Sequence, residues 1–210
     1  MENHLKVAAL CVNEITAYRS IRGVEVYDSR RCVTTFEGGM PVVCHPPCGP
    51  WGRLKYLSKG TESDKCLGPM CVGLVRANGG VLEHPAGSSL FNHCGMPSPS
   101  SGVDAWGGYT IEINQSWFGF EAAKRTWIYC VGVPRELLKC RVDLSPPTHV
   151  IDSGRTGLGQ GMKYVTKLRR SVTTHSLAKW LVKLARASCV ANTNQQIRTM
   201  GNPPRESRNG

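Results

Sequence analysis

The sequence predicts an α/β protein with a mostly parallel sheet flanked by helices. Three observations lead to this prediction: short apolar segments rich in valine recur along the chain, a helical pattern separates two of them, and prolines directly follow two segments. Proline cannot donate to a sheet ladder, so Pro46 and Pro47 end one predicted strand and Pro85 ends another. A strand, a helix and a second strand in this order are typical of a parallel crossover connection.

Each element follows from its own pattern. Apolar or alternating runs predict strands at 5–12, 23–28, 40–45, 81–85, 109–115 and 126–133, with a further short strand at 148–152. Apolar residues on one face predict a helix over 64–80, and a short helix is predicted over 88–95. Together these elements predict a core domain over residues 1–152.

The C-terminal part of the chain has a different composition. Glycines spaced through 153–162 predict a linker, and 163–189 is predicted as a basic amphipathic helical segment with Thr173 or Thr174 as its N-cap. The apolar residues of that helix recur at i, i+3, i+4 and i+7 and are Leu177, Trp180, Leu181 and Leu184. The polar residues 190–210 predict a disordered tail.

The positive charge of the chain is unevenly distributed. The formal net charge is +11, and ten basic residues lie between Asp152 and Glu206, where there is no acidic residue. Such a segment neutralises phosphates and releases counterions, so it predicts DNA as the partner. The candidate nucleic-acid contacts are Lys163, Lys167, Arg169, Arg170, Lys179 and Lys183. A solvated basic tail with no partner stays open as the alternative.

Several classes of protein are disfavoured by the sequence. No apolar run approaches the roughly 20 residues that span a bilayer, and the N-terminus lacks a signal-peptide pattern, so we expect a cytoplasmic protein with no membrane partner and reduced cysteines. Cys44, His45 and Cys48 are close in sequence but lack the paired C-x-x-C motif of zinc sites. The motifs of zinc-dependent nucleobase deaminases are also missing. We therefore expect no metal.

Cys48 and Glu83 are the first candidates for chemistry. Cys48 follows one predicted strand and Glu83 lies near the end of the next, so neighbouring parallel strands would bring both to one carboxyl edge, where open α/β sheets bind ligands. A nucleophilic thiolate needs an electropositive, partly exposed setting that lowers its pKa below about 8.5. A cysteine hydrolase with His45, His84 or His93 as the base stays open.

Three motifs of the sequence occur in an order that resembles that of a known protein family. The segments "PVVCHPPCGPW" (41–51), "GGVLEHP" (79–85) and "WFGFEAAKRTWIYCVGV" (117–133) follow one another in the chain. In this order the sequence resembles the DNA cytosine 5-methyltransferase family, with its Pro-Cys nucleophile loop, its Glu-Asn-Val strand end and its later basic block. It is also similar to short bacteriophage proteins that share these blocks.

The resemblance implies a fold and a set of roles. The fold would be a reduced Rossmann-like methyltransferase core. Cys48 would add to carbon 6 of cytosine, and Glu83 would hold a proton against the ring nitrogen, with a pKa raised by a dry pocket. Lys124 and Arg125 would hold the base or a phosphate, and the base would leave the duplex to reach them.

The resemblance also implies S-adenosylmethionine as the methyl donor, although the family's glycine loop after the first strand has no counterpart here. Glu25 and Asp28, near the end of the second predicted strand, are the candidates for binding a ribose. Two alternatives stay open. One is a pyrimidine-modifying enzyme with another one-carbon donor, and the other is a non-catalytic DNA-binding or anti-restriction protein. A phage origin implies the host cytoplasm and a role in DNA modification or restriction-modification.

Overall fold

The central feature of the molecule is a six-stranded mixed sheet. A computed structural model describes residues 5–52, 55–151 and 162–200, and the statements below concern these residues. The strands of the sheet are β1 (Val7–Leu10), β2 (Val24–Tyr27), β3 (Val42–Cys44), β4 (Gly80–Pro85), β5 (Tyr109–Asn114) and β6 (Arg125–Val131). Their order is β2-β1-β3-β4-β6-β5. The first four are parallel, and β6 runs antiparallel to both β4 and β5.

Helices cover both faces of this sheet. They are α1 (Glu62–Asn78), α2 (Ser89–His93), α3 (Lys167–Arg170) and α4 (His175–Met200), and a two-stranded parallel pair, β7 (His149–Val150) and β8 (Lys163–Tyr164), lies apart from the main sheet. The prediction of an α/β fold with a mostly parallel, helix-flanked sheet is confirmed. No described helix is long and apolar enough to cross a membrane.

Capping residues fix where the long helices start. The Thr61 hydroxyl accepts a hydrogen bond from the Asp64 backbone, and the Asp64 carboxylate accepts one from the Thr61 backbone, so α1 begins with a capping box. The Thr174 hydroxyl accepts from the Leu177 backbone at 3.3 Å and caps α4. This agrees with the predicted N-cap at Thr173 or Thr174.

Alternation along the strands divides the core into two layers. In β1, Val7 and Ala9 face the layer that contains α4, whereas Ala8 and Leu10 face the layer that contains α1 and α2. All four are fully buried. A strand buried on both faces reads as a continuous apolar run, which is how β1 appears in the sequence.

The C-terminal part differs from its prediction in two ways. The segment from 163 does not begin as a helix: it forms β8, then the short α3, and only then α4. The tail predicted to be disordered from 190 is helical as far as Met200, because α4 continues to that residue. The predicted linker 153–162 lies outside the described residues except for Met162, and 201–210 lie outside them entirely.

Candidate active site

The candidate site lies where the strand order of the sheet reverses. From β1 the chain moves to β2 on one side, and it then returns to β3 on the other side of β1. Such a reversal separates the loops that follow the two neighbouring strands and opens a crevice at their carboxyl ends. In this protein the crevice lies between the loops that follow β1 and β3.

A pocket of about 660 Å³ occupies this crevice. Five segments and Ile151 line it: residues of 11–16 after β1, His45–Cys48 after β3, Glu83–Pro85 at the end of β4, Ala123–Arg125 leading into β6, and residues of 170–173 from the end of α3 to the start of α4. All four predicted catalytic residues, Cys48, Glu83, Lys124 and Arg125, are among the lining residues. The fold thus brings together groups that are up to 77 positions apart, from Cys48 to Arg125.

Cys48 lies at the start of a short 3₁₀ turn, Gly49–Trp51, and its side chain reaches solvent. Loss of hydration on the pocket side raises the pKa of the thiol, while Lys124 opposes this rise and Glu83 adds to it. The expected setting that lowers the thiol pKa is therefore not present in this state. The physical reason is that one nearby cation does not offset the loss of water together with a nearby carboxylate.

Glu83 is a buried carboxylate with protein partners on both oxygens. Its Oε2 lies 3.0 Å from His45 Nδ1, and its Oε1 accepts a hydrogen bond from Gln115 Nε2 at 2.9 Å. Burial by itself raises the pKa, but Lys124, His45 and His84 together lower it to about 2. The prediction that a dry pocket raises this pKa is wrong, because neighbouring cations and donors outweigh desolvation. Glu83 is ionised.

His84 follows Glu83 on β4 and is fully buried at the edge of the same pocket. Burial lowers the pKa of its ring to about 4, with Glu83 acting in the opposite direction, so the imidazole is neutral. Neither ring nitrogen has a hydrogen-bond partner among the described residues. It is an uncharged polar group next to Glu83 in the pocket lining.

Lys124 and Arg125 differ in the partners that their charged groups bind. Lys124 donates to the Arg170 carbonyl at 3.0 Å and its charge acts on both Cys48 and Glu83. Arg125 is exposed and makes a bidentate ion pair with Glu112, at 2.7 and 2.9 Å. Lys124 is therefore the cation that lowers the pKa of both Cys48 and Glu83, whereas the Arg125 guanidinium is already paired with the Glu112 carboxylate.

The two predicted ribose ligands are not in the pocket. Glu25 pairs with Lys6 at 3.1 Å and with Arg31 at 3.3 Å. Asp28 is nearly inaccessible, pairs with Arg19, and accepts a backbone hydrogen bond from Arg30. Both carboxylates form ion pairs with nearby lysine or arginine side chains, so the structure does not support a cofactor-binding role for either one.

The described lining residues offer S-adenosylmethionine no free carboxylate. This cofactor carries a sulfonium and an ammonium group, which need anionic or neutral polar partners, and a carboxylate, which suits cations. Cations and neutral polar side chains such as Asn13 and Thr16 are present in the lining. The only acidic residue among the described lining residues is Glu83, which is already bound to His45 and Gln115, whereas Lys124, Arg125 and Arg170 supply positive charge.

The predicted nucleic-acid contacts are divided between several surfaces. Arg170 lines the pocket, whereas Arg169 pairs with Glu121 at 2.8 Å. Lys179 and Lys183 are exposed on α4, and Lys163 is exposed on β8. Lys167 begins α3, and its side chain lies outside the described part of the chain. Among the members of this set whose side chains are described, only Arg170 contributes to the pocket rim.

The sequence reasoning missed Tyr18 and Gln115 and gave His45 only generic roles. His45 bonds to Glu83 through Nδ1 and to the Tyr18 hydroxyl through Nε2, at 2.8 Å. Histidine in "HPPC" next to the candidate nucleophile was the available signal. Nothing in the sequence indicates Tyr18, which reaches the pocket wall from a 3₁₀ turn 27 residues earlier. Within the described residues no three metal-ligating side chains cluster.

Comparison with known proteins gives no independent guide to this site. No protein-family model matches the chain, and no curated protein is significantly similar to it. The function is therefore inferred from the geometry and chemistry of the pocket itself.

The influence of Lys124 on Cys48 gives a first prediction. Replacing Lys124 by glutamine removes the cation that lowers the thiol pKa, so this pKa is expected to rise and alkylation of Cys48 at neutral pH to slow by about 3- to 10-fold. Peptide-resolved mass spectrometry of iodoacetamide labelling against pH measures this. The Lys65→Gln variant serves as the distant control, and an unchanged Cys48 labelling profile in Lys124→Gln contradicts the account.

The ionised state of Glu83 gives a second prediction. Because its folded pKa of about 2 lies below the unfolded value, its stabilising effect is complete above about pH 4.5 and is lost as the pH falls toward 2. Urea unfolding is expected to show a shallower loss of stability over this range in Glu83→Gln than in the wild type. Glu37→Gln, at an exposed carboxylate, is expected to keep the wild-type slope.

Proposed function

We propose that this protein modifies a cytosine-type base in DNA through a covalent bond between Cys48 and carbon 6 of the ring. The observation that carries the proposal is the convergence of Cys48, Glu83 and Lys124, from three separate segments, on one pocket at the sheet's strand-order reversal. The motifs that resemble cytosine 5-methyltransferases are the segments that converge. A reduced Rossmann-like methyltransferase core is part of this proposal.

The chemistry needs few groups. Carbon 5 of cytosine is unreactive until a thiolate adds to carbon 6, which makes carbon 5 nucleophilic. Cys48 supplies the sulfur after its thiol loses a proton to solvent, and Lys124 favours the thiolate. The ionised Glu83 suits cytosine because a carboxylate accepts a hydrogen bond from the exocyclic amino group.

A donor other than S-adenosylmethionine is favoured by the charge of the pocket. Lys124 and Arg170 suit a neutral or anionic one-carbon carrier better than a sulfonium. We therefore infer that a pyrimidine-modifying enzyme with another one-carbon donor describes the reaction better than a methyltransferase that uses S-adenosylmethionine. The same cations suit the phosphates on either side of an extruded base, which keeps DNA as the substrate of the proposal.

The raised thiol pKa of Cys48 favours the competing candidate, a non-catalytic DNA-binding protein. The two functions differ in one measurable property: only the enzyme forms a bond to the base. In the non-catalytic case Cys48→Ser leaves function intact, whereas neutralising Lys163, Lys167, Arg169 and Arg170 abolishes it.

Exchange of the hydrogen on carbon 5 tests the proposed function without any donor. The adduct takes a deuteron from D₂O at carbon 5, loses the original hydrogen as a proton, and then expels the Cys48 thiolate. Deuterium is expected in cytosine of a duplex oligonucleotide incubated with the wild-type protein. DNA that is bound but gains no deuterium above the protein-free background supports the non-catalytic candidate instead.

DNA binding gives a third prediction. Arg170→Gln is expected to weaken DNA binding and to reduce the dependence of affinity on salt by about one phosphate contact, because Arg170 lies at the pocket rim. Fluorescence anisotropy at several salt concentrations measures this. Lys139→Gln provides the control, since Lys139 is exposed and follows the end of β6 at the opposite edge of the sheet. Equal salt dependence in the two variants contradicts the placement of DNA.

A further inference from the structure

Glu83 belongs to a continuous chain of hydrogen bonds that runs from the core to the pocket. The buried Tyr18 hydroxyl lies 2.8 Å from His45 Nε2, His45 Nδ1 lies 3.0 Å from Glu83 Oε2, and Gln115 Nε2 donates to Glu83 Oε1 at 2.9 Å. Gln115 is itself fixed by Thr126 at 3.0 Å. His45 thus lies between a phenol and a carboxylate, with both ring nitrogens engaged.

This arrangement gives His45 a different role from that of a cysteine-hydrolase base. A base that removes a thiol proton presents one ring nitrogen to the sulfur and the other to an orienting group. In this protein the second nitrogen of His45 bonds to Tyr18. The only titratable partner through which His45 can exchange a proton in this geometry, within the described residues, is Glu83, because burial holds the pKa of Tyr18 well above its ordinary value.

The difficulty for the proposed reaction is the source of a ring proton. Addition of a thiolate to carbon 6 places negative charge on the cytosine ring, and this charge is stabilised by a proton on ring nitrogen 3. An ionised Glu83 brings no proton of its own. His45, when protonated, forms an ion pair with Glu83 that holds one proton more than the carboxylate alone.

We propose that His45 stores the proton required by the addition and passes it to the substrate through Glu83, with Tyr18 fixing the ring of His45. This inference rests on the proposed function. His45 is a positioning and proton-holding residue, because Glu83 stands between it and the base.

The step balances without any further reactant. The Cys48 sulfur forms a bond to carbon 6, and the electron pair of the 5,6 double bond moves into the ring toward nitrogen 3. A proton leaves His45 Nδ1 for Glu83, and Glu83 delivers a proton to nitrogen 3. When the sulfur leaves carbon 6, the double bond returns and the proton goes back to Glu83 and His45.

The groups around the His45–Glu83 pair define its pH dependence. The titratable side chains around it are Tyr18 from the 3₁₀ turn, His84 from β4, Lys124 from the loop before β6, and Cys48 from the loop after β3, with Cys44 acting on Tyr18. Exchange at carbon 5 is expected to rise with pH as the Cys48 thiolate forms.

The test compares His45→Asn and Tyr18→Phe with the wild type. Asparagine places an amide N–H near the Nδ1 position, so it keeps the hydrogen bond to Glu83 but cannot store a proton. Exchange is expected to fall by about 10²-fold in His45→Asn, with little change in KM, and by a smaller factor in Tyr18→Phe. A wild-type exchange rate in His45→Asn overturns the inference.

A second readout needs no substrate and separates this inference from the proposed function. Proton NMR of the wild-type protein is expected to show a downfield imidazole N–H signal that disappears in His45→Asn and moves upfield in Glu83→Gln. Thermal unfolding of each variant confirms that it is folded. Absence of exchange in the wild type overturns the proposed function, and an imidazole signal unaffected by Glu83→Gln overturns the relay.

Discussion

Replacing Cys48 by serine is expected to abolish deuterium exchange at carbon 5 of cytosine, with a loss of at least about 10³-fold. The sulfur of Cys48 is the group that the proposal bonds to carbon 6, and a serine hydroxyl at this position is a much weaker nucleophile than a thiolate. DNA affinity is expected to stay within about twofold of wild type, because one exposed thiol contributes little to phosphate binding.

A matched cysteine provides the control for this loss. Cys66 is also exposed, but it lies on α1, away from the pocket lining. Cys66→Ser is expected to keep the exchange rate of the wild type. If Cys48→Ser retains exchange, or if Cys66→Ser loses it equally, Cys48 is not the nucleophile.

Replacing Gly80 by alanine is expected to destabilise the protein by about 3 kcal/mol or more. Gly80 begins β4 with a φ of +118°, and a methyl group there would overlap the Val42 carbonyl and lie 2.8 Å from the Val42 nitrogen. Val42 is paired with Gly80 in the β3–β4 ladder, so the strands would have to separate. Since this ladder sets His45 against Glu83, the chain of hydrogen bonds would be disturbed as well.

Gly87 provides a control that distinguishes steric overlap from backbone strain as the cause of the destabilisation. It has a φ of +75°, but a methyl group there would meet no atom within 4 Å. Gly87→Ala is therefore expected to cost only the conformational part, about 1 kcal/mol. Urea unfolding of both variants measures the difference, and equal losses for Gly80→Ala and Gly87→Ala would show that the close approach of β3 and β4 is unimportant.

The sheet was predictable from local signals, but its order was not. The valine-rich runs and the prolines after β3 and β4 located the parallel strands, because both signals act within a few residues. The insertion of the antiparallel β6 between β4 and β5 depends on packing between distant segments. The start of α4 was similarly predictable from Thr174, whereas β8 and α3 carry too few residues for a periodic signal.

The position of the candidate site was predictable, but its electrostatics was not. Neighbouring parallel strands bring Cys48 and Glu83 to one edge, and this follows from strand positions alone. The pKa of Glu83 depends on His45, which was known only as a neighbour of the cysteine, and on Lys124, which is 41 positions away in sequence. The ion pairs of Glu25 and Asp28 were unpredictable for the same reason, since Lys6 and Arg19 reach them only in the folded chain.

The central claim is that the protein forms a Cys48-dependent bond to cytosine and leaves the base modified. Mass spectrometry of nucleosides from DNA of cells that express the wild-type chain or Cys48→Ser tests it most directly, and the added mass identifies the group transferred. The account predicts a heavier cytosine nucleoside in the wild-type sample alone. Identical nucleosides in both samples, from cells in which both proteins are folded and bind DNA, would contradict it.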